Sequence, residues 1–175
     1  ENASIRNQDI YPRLRQWVAH VTPSEILEIG AGQGACSAEI DLQFGRYTGV
    51  DASPLLVQRA QELYSAGNRV FLEGNAYALP CPNGSFDAVF SVAVWHLLHD
   101  LQLAAKEMSL ILRTGGSFLI ITANPSAYSL WTDRYSNTKI EGMRFEGTVQ
   151  LPDQSVMMDV LYLHPLESIV SSLAS

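Results

Sequence analysis

Leu27-Glu28-Ile29-Gly30-Ala31-Gly32-Gln33-Gly34 is the stretch that decides the fold. Residues 25–29 form a short apolar run that meets Gly30, as a buried strand does where it turns sharply into the next element. Bare backbone at Gly30, Gly32 and Gly34 lets a ligand come close, and a helix over 34–43 would present free N–H groups to an anion. Gly30 to Ala35 also fits the loose pattern G-x-G-x-x-G/A, which by itself says little. A merely tight strand-to-helix turn is the plain alternative, but it needs fewer glycines.

Outward from this loop, strands and helices alternate. Residues 8–20 place Ile10, Leu14, Trp17 and Val18 on one helical stripe upstream. Downstream come a strand from Tyr47 to Asp51, a helix opened by Ser53-Pro54 and stopped by Gly67, and strands over 69–73 and 86–92. Asp100 caps a helix with the stripe Leu101, Ala105, Met108 and Leu112, ended by Gly115-Gly116, and a fifth strand covers 117–122. Such alternation predicts an α/β fold: a doubly wound, mainly parallel sheet in the order 3-2-1-4-5 with helices on both faces. Ligands of such sheets lie beyond the carboxyl ends of the strands. The site should therefore draw on residues 30–34, 51–53, 74–77, 91–96 and 122–128.

After residue 124 the pattern changes. Tyr128, Trp131 and Tyr135 suggest a short helix over 125–137. Met143, Phe145, Val149 and Leu151 face Val156 to Leu163 as the arms of a hairpin, with Pro152-Asp153 at its turn. Residues 165–174 start another amphipathic helix. The expected organisation is a single domain over 1–175. Its parts are an N-terminal helical segment (1–23), a ligand-binding core (24–124), a substrate-side insertion (125–163) and the start of a C-terminal helix (164–175).

Composition narrows the function. The 175 residues carry 11 Lys and Arg against 18 Asp and Glu, a net charge of −7. An acidic protein is a poor partner for a phosphate backbone, so nucleic acid is disfavoured. Cys36 and Cys81 are the only cysteines, which fits a reducing cytoplasm rather than a disulfide scaffold. No apolar run approaches the ~20 residues that cross a bilayer. No signal peptide is visible, although the chain starts at Glu1 and not at Met. No His, Cys or Asp cluster has metal-ligand spacing. A homo-oligomer is compatible with all of this.

Two carboxylates define the ligand. Asp51 closes the second strand, 21 residues after Gly30, where a carboxylate can accept from both hydroxyls of a ribose; the plainer reading is a charge near a helix start. Glu28 sits two residues before the first glycine, where a dinucleotide fold wants an apolar residue. A buried ionisable group needs a partner. The ammonium of a ligand such as S-adenosylmethionine could supply one, and so could a buried backbone group.

Four segments together resemble a known family. They are Leu27 to Gly34; Gly49-Val50-Asp51-Ala52-Ser53; Gly74-Asn75-Ala76-Tyr77-Ala78-Leu79-Pro80 followed by Gly84-Ser85-Phe86-Asp87-Ala88-Val89; and Leu110 to Gly116. In order and spacing they look like the motifs of class I S-adenosylmethionine-dependent methyltransferases, in the small-molecule branch that includes quinone-biosynthesis enzymes. The resemblance runs from about residue 24 to 124. It implies that Glu28, Gly30, Ala31 and Gly32 hold the methionine end of the cofactor and that Asp51 takes the ribose. Ala52, Asn75 and Ala76 would meet the adenine, Ser91 would line the pocket beneath the sulfonium, and Tyr11 would cover the cofactor. Asn75 departs from the family's usual Asp, though its oxygen can still accept from an amino group. The resemblance also implies two further C-terminal strands, one antiparallel, which are missing before Ser175. The fifth strand is then expected as an edge unless a hairpin or partner covers it.

Methyl transfer from a sulfonium needs alignment and exclusion of water more than it needs a base. His96, after the fourth strand, is the candidate base or acceptor-orienting residue, against a plain helix-end histidine bonded to backbone. His99 and His164 read as surface or capping residues. Trp95, Tyr128 and Trp131 are the candidate acceptor-side aromatics, against simple core packing. The expectation is thus a cytoplasmic methyltransferase using S-adenosylmethionine on a small molecule. The alternatives are a nucleotide-dependent oxidoreductase on a similar glycine loop and a non-catalytic S-adenosylmethionine-binding protein.

Overall fold

The computed structural model describes residues 6–42, 45–124, 136–141, 143–150, 156–162 and 164–174. The chain divides into two compact units, Glu1–Val92 with Lys106–Ile121, and Ala93–Ala105 with Thr122–Ser175.

The first unit is built on five strands: β1 (Glu25–Ile29), β2 (Arg46–Asp51), β3 (Arg69–Glu73), β4 (Phe86–Val92) and β5 (Leu112–Ile121). Their order is β3-β2-β1-β4-β5 and every pairing is parallel, as the alternating pattern predicts. Helix α1 (Tyr11–Val21) follows a π turn at Arg6–Ile10, and α2 (Pro54–Tyr64) joins β2 to β3. The Ser53 hydroxyl caps α2 by accepting from the Leu56 N–H at 3.4 Å, and Gly67 takes a left-handed φ of 69° just beyond. Leu14 and Val18 of α1 bury into one cluster with Ile26, Tyr47, Phe71 and Phe90, so that helix covers one sheet face. Asp100 caps α3 (Leu101–Ile111) by accepting from Leu103 N–H at 2.9 Å, and β5 starts without a break after it.

The segment after the glycine loop differs from its expected helix over 34–43. It is a single 3-10 turn, Ala35–Glu39. Gly34 enters it at φ 84°, and the Ser37 hydroxyl donates back to the Gly34 carbonyl at 2.7 Å. Arg69 then bonds the carbonyls of Ser37 and Ile40 at 3.1 and 3.0 Å, so these groups are satisfied from β3 and not by a further helical turn.

Asp87 ties the sheet together at its other end. Its carboxylate accepts from the backbone N–H groups of Ser24 and Glu25 at 3.0 Å each and pairs with Arg113 at 2.5 Å. A register shift between β4 and β5, where Phe86 pairs with Leu112 and Ala88 with Ser117, accompanies this pairing. Partial burial disfavours the charge, but the Arg113 and backbone bonds outweigh it and hold the carboxyl below its ordinary range. Asp87→Ala leaves those donors without their acceptor and should cost about 1–3 kcal/mol in urea unfolding at neutral pH. Because the folded pKa is depressed, this stabilisation is present above the unfolded value of about 3.9 and fades as pH falls through the folded one. The deficit of the variant should shrink accordingly in acid.

The second unit carries an antiparallel sheet of β6 (Ser136–Glu141), β7 (Arg144–Gln150) and β8 (Val156–Tyr162), in that order. The β7–β8 ladder matches the expected hairpin, with Phe145 opposite Leu161 and Gln150 opposite Val156. The expected turn at Pro152-Asp153 lies outside the described residues, as do Tyr128 and Trp131. Strand β6 was not expected: Ser136 and Asn137 belong to it and not to the end of a helix. Helix α4 (Leu166–Leu173) falls inside the expected 165–174.

Candidate functional site

The glycine loop leaves β1 at Ile29 and is held against β2. Gly30 and Ala31 both donate to the Val50 carbonyl, at 2.7 and 3.0 Å. Gly30, Gly32 and Gly34 all have positive φ (75°, 55° and 84°), a backbone path that side-chain-bearing residues rarely follow. Asp51 fixes the loop from the end of β2. One carboxylate oxygen accepts from Gly32 N–H at 2.7 Å and the other from Ser53 N–H at 2.9 Å. Each oxygen keeps a second lone pair, so the clamped carboxylate can still accept two hydroxyls.

A cavity of about 250 Å³ opens beside this loop, at the carboxyl ends of the strands. Glu28, Gly30, Ala31 and Gly32 line it, joined by Arg6, Gln33, Ala35, Cys36, Leu56 and Val92. Glu28 is 1% exposed. Its partners are side chains, which neither sequence-based alternative foresaw: Tyr47 donates its hydroxyl to Oε2, and Cys36 supplies a second side-chain hydrogen bond. Burial pushes the Glu28 carboxyl up to about 8, with Tyr47, Cys36 and Arg6 pulling the other way. Burial and the neighbouring Glu28 also drive the Cys36 thiol well up, so it is a packed hydrogen-bond donor and no nucleophile.

Ser91, in register with Ile29 at the end of β4, is 1% exposed, and among the described residues its Oγ has no hydrogen-bond partner. Such an orphan is expected where a ligand or water completes the site. Asn75 and Ala76 follow β3 in a small turn, where Asn75 Oδ1 accepts from Tyr77 N–H at 2.9 Å. Ala52 is exposed beside Asp51. Tyr11 is 8% exposed within the core and does not line the cavity. Arg6 lines it from the N-terminal segment instead.

Two larger cavities, of about 520 and 540 Å³, open near Thr22, Pro23 and Ser24, at the amino ends of the strands. Ligands of doubly wound sheets bind at the other end, so size does not decide here.

In the second unit, His96 is 7% exposed, with Nδ1 3.1 Å from the Thr122 hydroxyl. Trp95 is fully buried, and among the described residues its Nε1 has no hydrogen-bond partner. His164, expected at the surface or as a cap, is 3% exposed and donates from Nε2 to the Leu98 carbonyl at 2.6 Å. His99 is exposed and lies 6.1 Å from the Tyr162 ring. Among the described residues no group of three or more His, Cys, Asp or Glu could hold a metal ion, and no helix is long and apolar enough to cross a membrane.

The fold has a counterpart among known proteins. A family profile described as "Methyltransferase domain" matches residues 27–120. The chain belongs to the methyltransferase-domain family. This methyltransferase-domain chain is 31% identical over 109 residues to a fatty-acid O-methyltransferase of Mycolicibacterium smegmatis, an alignment covering 61% of the chain and 40% of that protein. It is 34% identical over 101 residues to 2-methyl-6-phytyl-1,4-hydroquinone methyltransferase of Synechocystis, covering 57% of the chain and 32% of that protein. The chain thus spans less than half the length of these curated relatives. A crystal structure of a Pyrococcus horikoshii protein has the same fold, with a TM-score of 0.80 at 16% identity, covering 99% of this chain and 81% of that one.

Four lining residues of the methyltransferase domain fall outside the residues and stretches expected from sequence: Arg6, Ala35, Cys36 and Leu56. The missed Tyr47 sits behind Glu28. Its signal was parity: in a parallel pair with Ile26 opposite Tyr47, positions 28 and 47 share a sheet face.

Proposed function

We propose that this chain transfers the methyl group of S-adenosylmethionine to a small, partly apolar acceptor by in-line displacement. The observation that carries this reading is the pairing of one acid, Glu28, and one base, Arg6, in the same small cavity beside the glycine loop. The amino-acid end of the cofactor is a zwitterion and needs one partner of each sign. At about 250 Å³ the cavity is smaller than the ~300–1,000 Å³ of whole-ligand pockets. It therefore takes one end of an extended ligand, and the nucleoside lies across Asp51, Ala52, Asn75 and Ala76.

When bound, the cofactor supplies an activated methyl group whose leaving group departs as a neutral thioether. Glu28 and Arg6 hold the amino-acid end, while Gly30, Ala31 and Gly32 offer close backbone. Ser91 Oγ gains the partner it lacks. Asp51 receives the ribose hydroxyls on its two remaining lone pairs. Asn75 Oδ1, already steadied by Tyr77 N–H, accepts from the adenine amino group beside the Ala76 N–H. Cys36 and Cys81 are both free thiols, in keeping with a cytoplasmic protein.

A dinucleotide reading fits less well. Pyrophosphate binding uses a helix N-terminus with free N–H groups. Here the loop runs into a five-residue 3-10 turn, and Gly32 N–H is already given to Asp51.

The two named relatives act on a fatty acid and a hydroquinone, so apolar acids and phenols are the first acceptors to test. With methyl-labelled S-adenosylmethionine, label should move to at least one of them, with one S-adenosylhomocysteine formed per methyl transferred. Binding of cofactor with no transfer to any acceptor would instead favour a non-catalytic binding protein.

A further inference from the structure

We propose that Tyr47 is a positioning residue for the cofactor: its hydroxyl, donated to Glu28 from the neighbouring strand, holds the Glu28 carboxyl ready to ionise against the cofactor's ammonium. The inference rests on the S-adenosylmethionine reading of the cavity and deepens it.

The geometry leaves Tyr47 little freedom. Ile26 is opposite Tyr47 and Glu28 opposite Gly49, so Glu28 and Tyr47 share one face of the sheet. Tyr47 is 0% exposed, with its ring 5.6 Å from Phe71 and 6.4 Å from Phe90. Gly49 lets Phe71 come this close: a Cβ there would meet Phe71 Cδ1 at 2.7 Å and Ala31 Cβ at 2.8 Å. A tyrosine packed this way among aromatics cannot swing to another acceptor, and its hydroxyl stays on Glu28.

Among the described residues, the groups with the largest influence on Glu28 are Tyr47 and Asp51 from β2, Cys36 from the 3-10 turn and Arg6 from the N-terminal segment; Asp51 opposes ionisation alongside burial. Burial pushes the carboxyl up to about 8 against these donors, which favour its charged form. Closing the cavity with a cation should complete the ionisation and release a proton. Phenylalanine at 47 would keep the ring's shape and remove a donor that favours the charged form.

The test is calorimetric titration of the full chain with S-adenosylmethionine between about pH 6 and 9. Wild-type affinity should rise along a limb with its midpoint near 8, as Glu28 ionises, and turn down where the cofactor's own ammonium loses its proton. In Tyr47→Phe the midpoint should move up by about one pH unit, which weakens binding roughly tenfold near neutrality and only about twofold at the alkaline end. Replacing Tyr47 with 3-fluorotyrosine makes the hydroxyl a stronger donor without changing the packing, and should move the midpoint down. This arm stands even if the phenylalanine variant fails to fold. A Tyr47 that merely fills space gives one constant loss at every pH, or none, and no movement with the fluorinated ring; that result overturns the proposal. Wild-type protein that binds no S-adenosylmethionine at any pH overturns the cofactor reading itself.

Discussion

Asp51→Ala is expected to lose S-adenosylmethionine affinity by roughly a hundredfold or more, read by calorimetry at neutral pH. Two losses combine. The ribose hydroxyls lose an ionised acceptor, and bonds to a charged partner are worth about 1.5–3 kcal/mol each. The loop also loses its clamp, because Gly32 and Ser53 N–H both end on this carboxylate. Asp51→Asn should be nearly as poor, since one of those two N–H groups would then face an amide NH₂ and not an acceptor. Both variants should keep a cooperative unfolding transition, as Asp51 is only partly buried and lies at a strand end. Unchanged affinity in a folded Asp51→Ala protein would remove the carboxylate from the site.

Glu28→Gln should do the opposite to stability. A carboxyl whose folded value is raised from 4.5 to about 8 binds its proton more tightly folded than unfolded. Its contribution to stability is therefore fully present below the unfolded value and is lost as pH rises through the folded one. Across that window the ligand-free wild-type protein should lose several kcal/mol, while glutamine, which does not titrate, should lose none. Thermal unfolding should show the variant melting roughly 5–10 °C above wild type near pH 8.5, the gap narrowing toward pH 5. The same variant should bind S-adenosylmethionine poorly, since a neutral amide cannot balance an ammonium. Binding sites are commonly held at the expense of stability in this way. Melting curves of the two proteins that stay parallel at every pH would show that Glu28 does not titrate on folding.

Four of the five strands were legible because each is announced locally, whereas β5 begins at Leu112, inside the stretch read as helix up to Gly115-Gly116. Glu25–Ile29 runs into glycine, Arg46–Asp51 into Ser53-Pro54, and Phe86–Val92 is apolar on both faces. The loop and Asp51 were legible for the same reason. What was hidden depends on contacts between distant residues. The helix expected over 34–43 stops at Glu39 because Arg69, on β3, takes the carbonyls that another turn would have used. Tyr47 reads as an ordinary strand aromatic until the β1–β2 register brings it to Glu28. Arg6 belongs to no motif, and the fold brings it to the cavity. Strand β6, Ser-Asn-Thr-Lys-Ile-Glu, carries no alternation of its own and is defined by its pairing with β7.

The cavity beside the glycine loop is expected to take the amino-acid end of S-adenosylmethionine, and calorimetric titration of the full chain with S-adenosylmethionine, S-adenosylhomocysteine and NADH checks this. Both sulfur nucleosides should bind one per chain and compete with each other, and NADH should give no heat of binding. Tight binding of NADH with none of either sulfur nucleoside would contradict it.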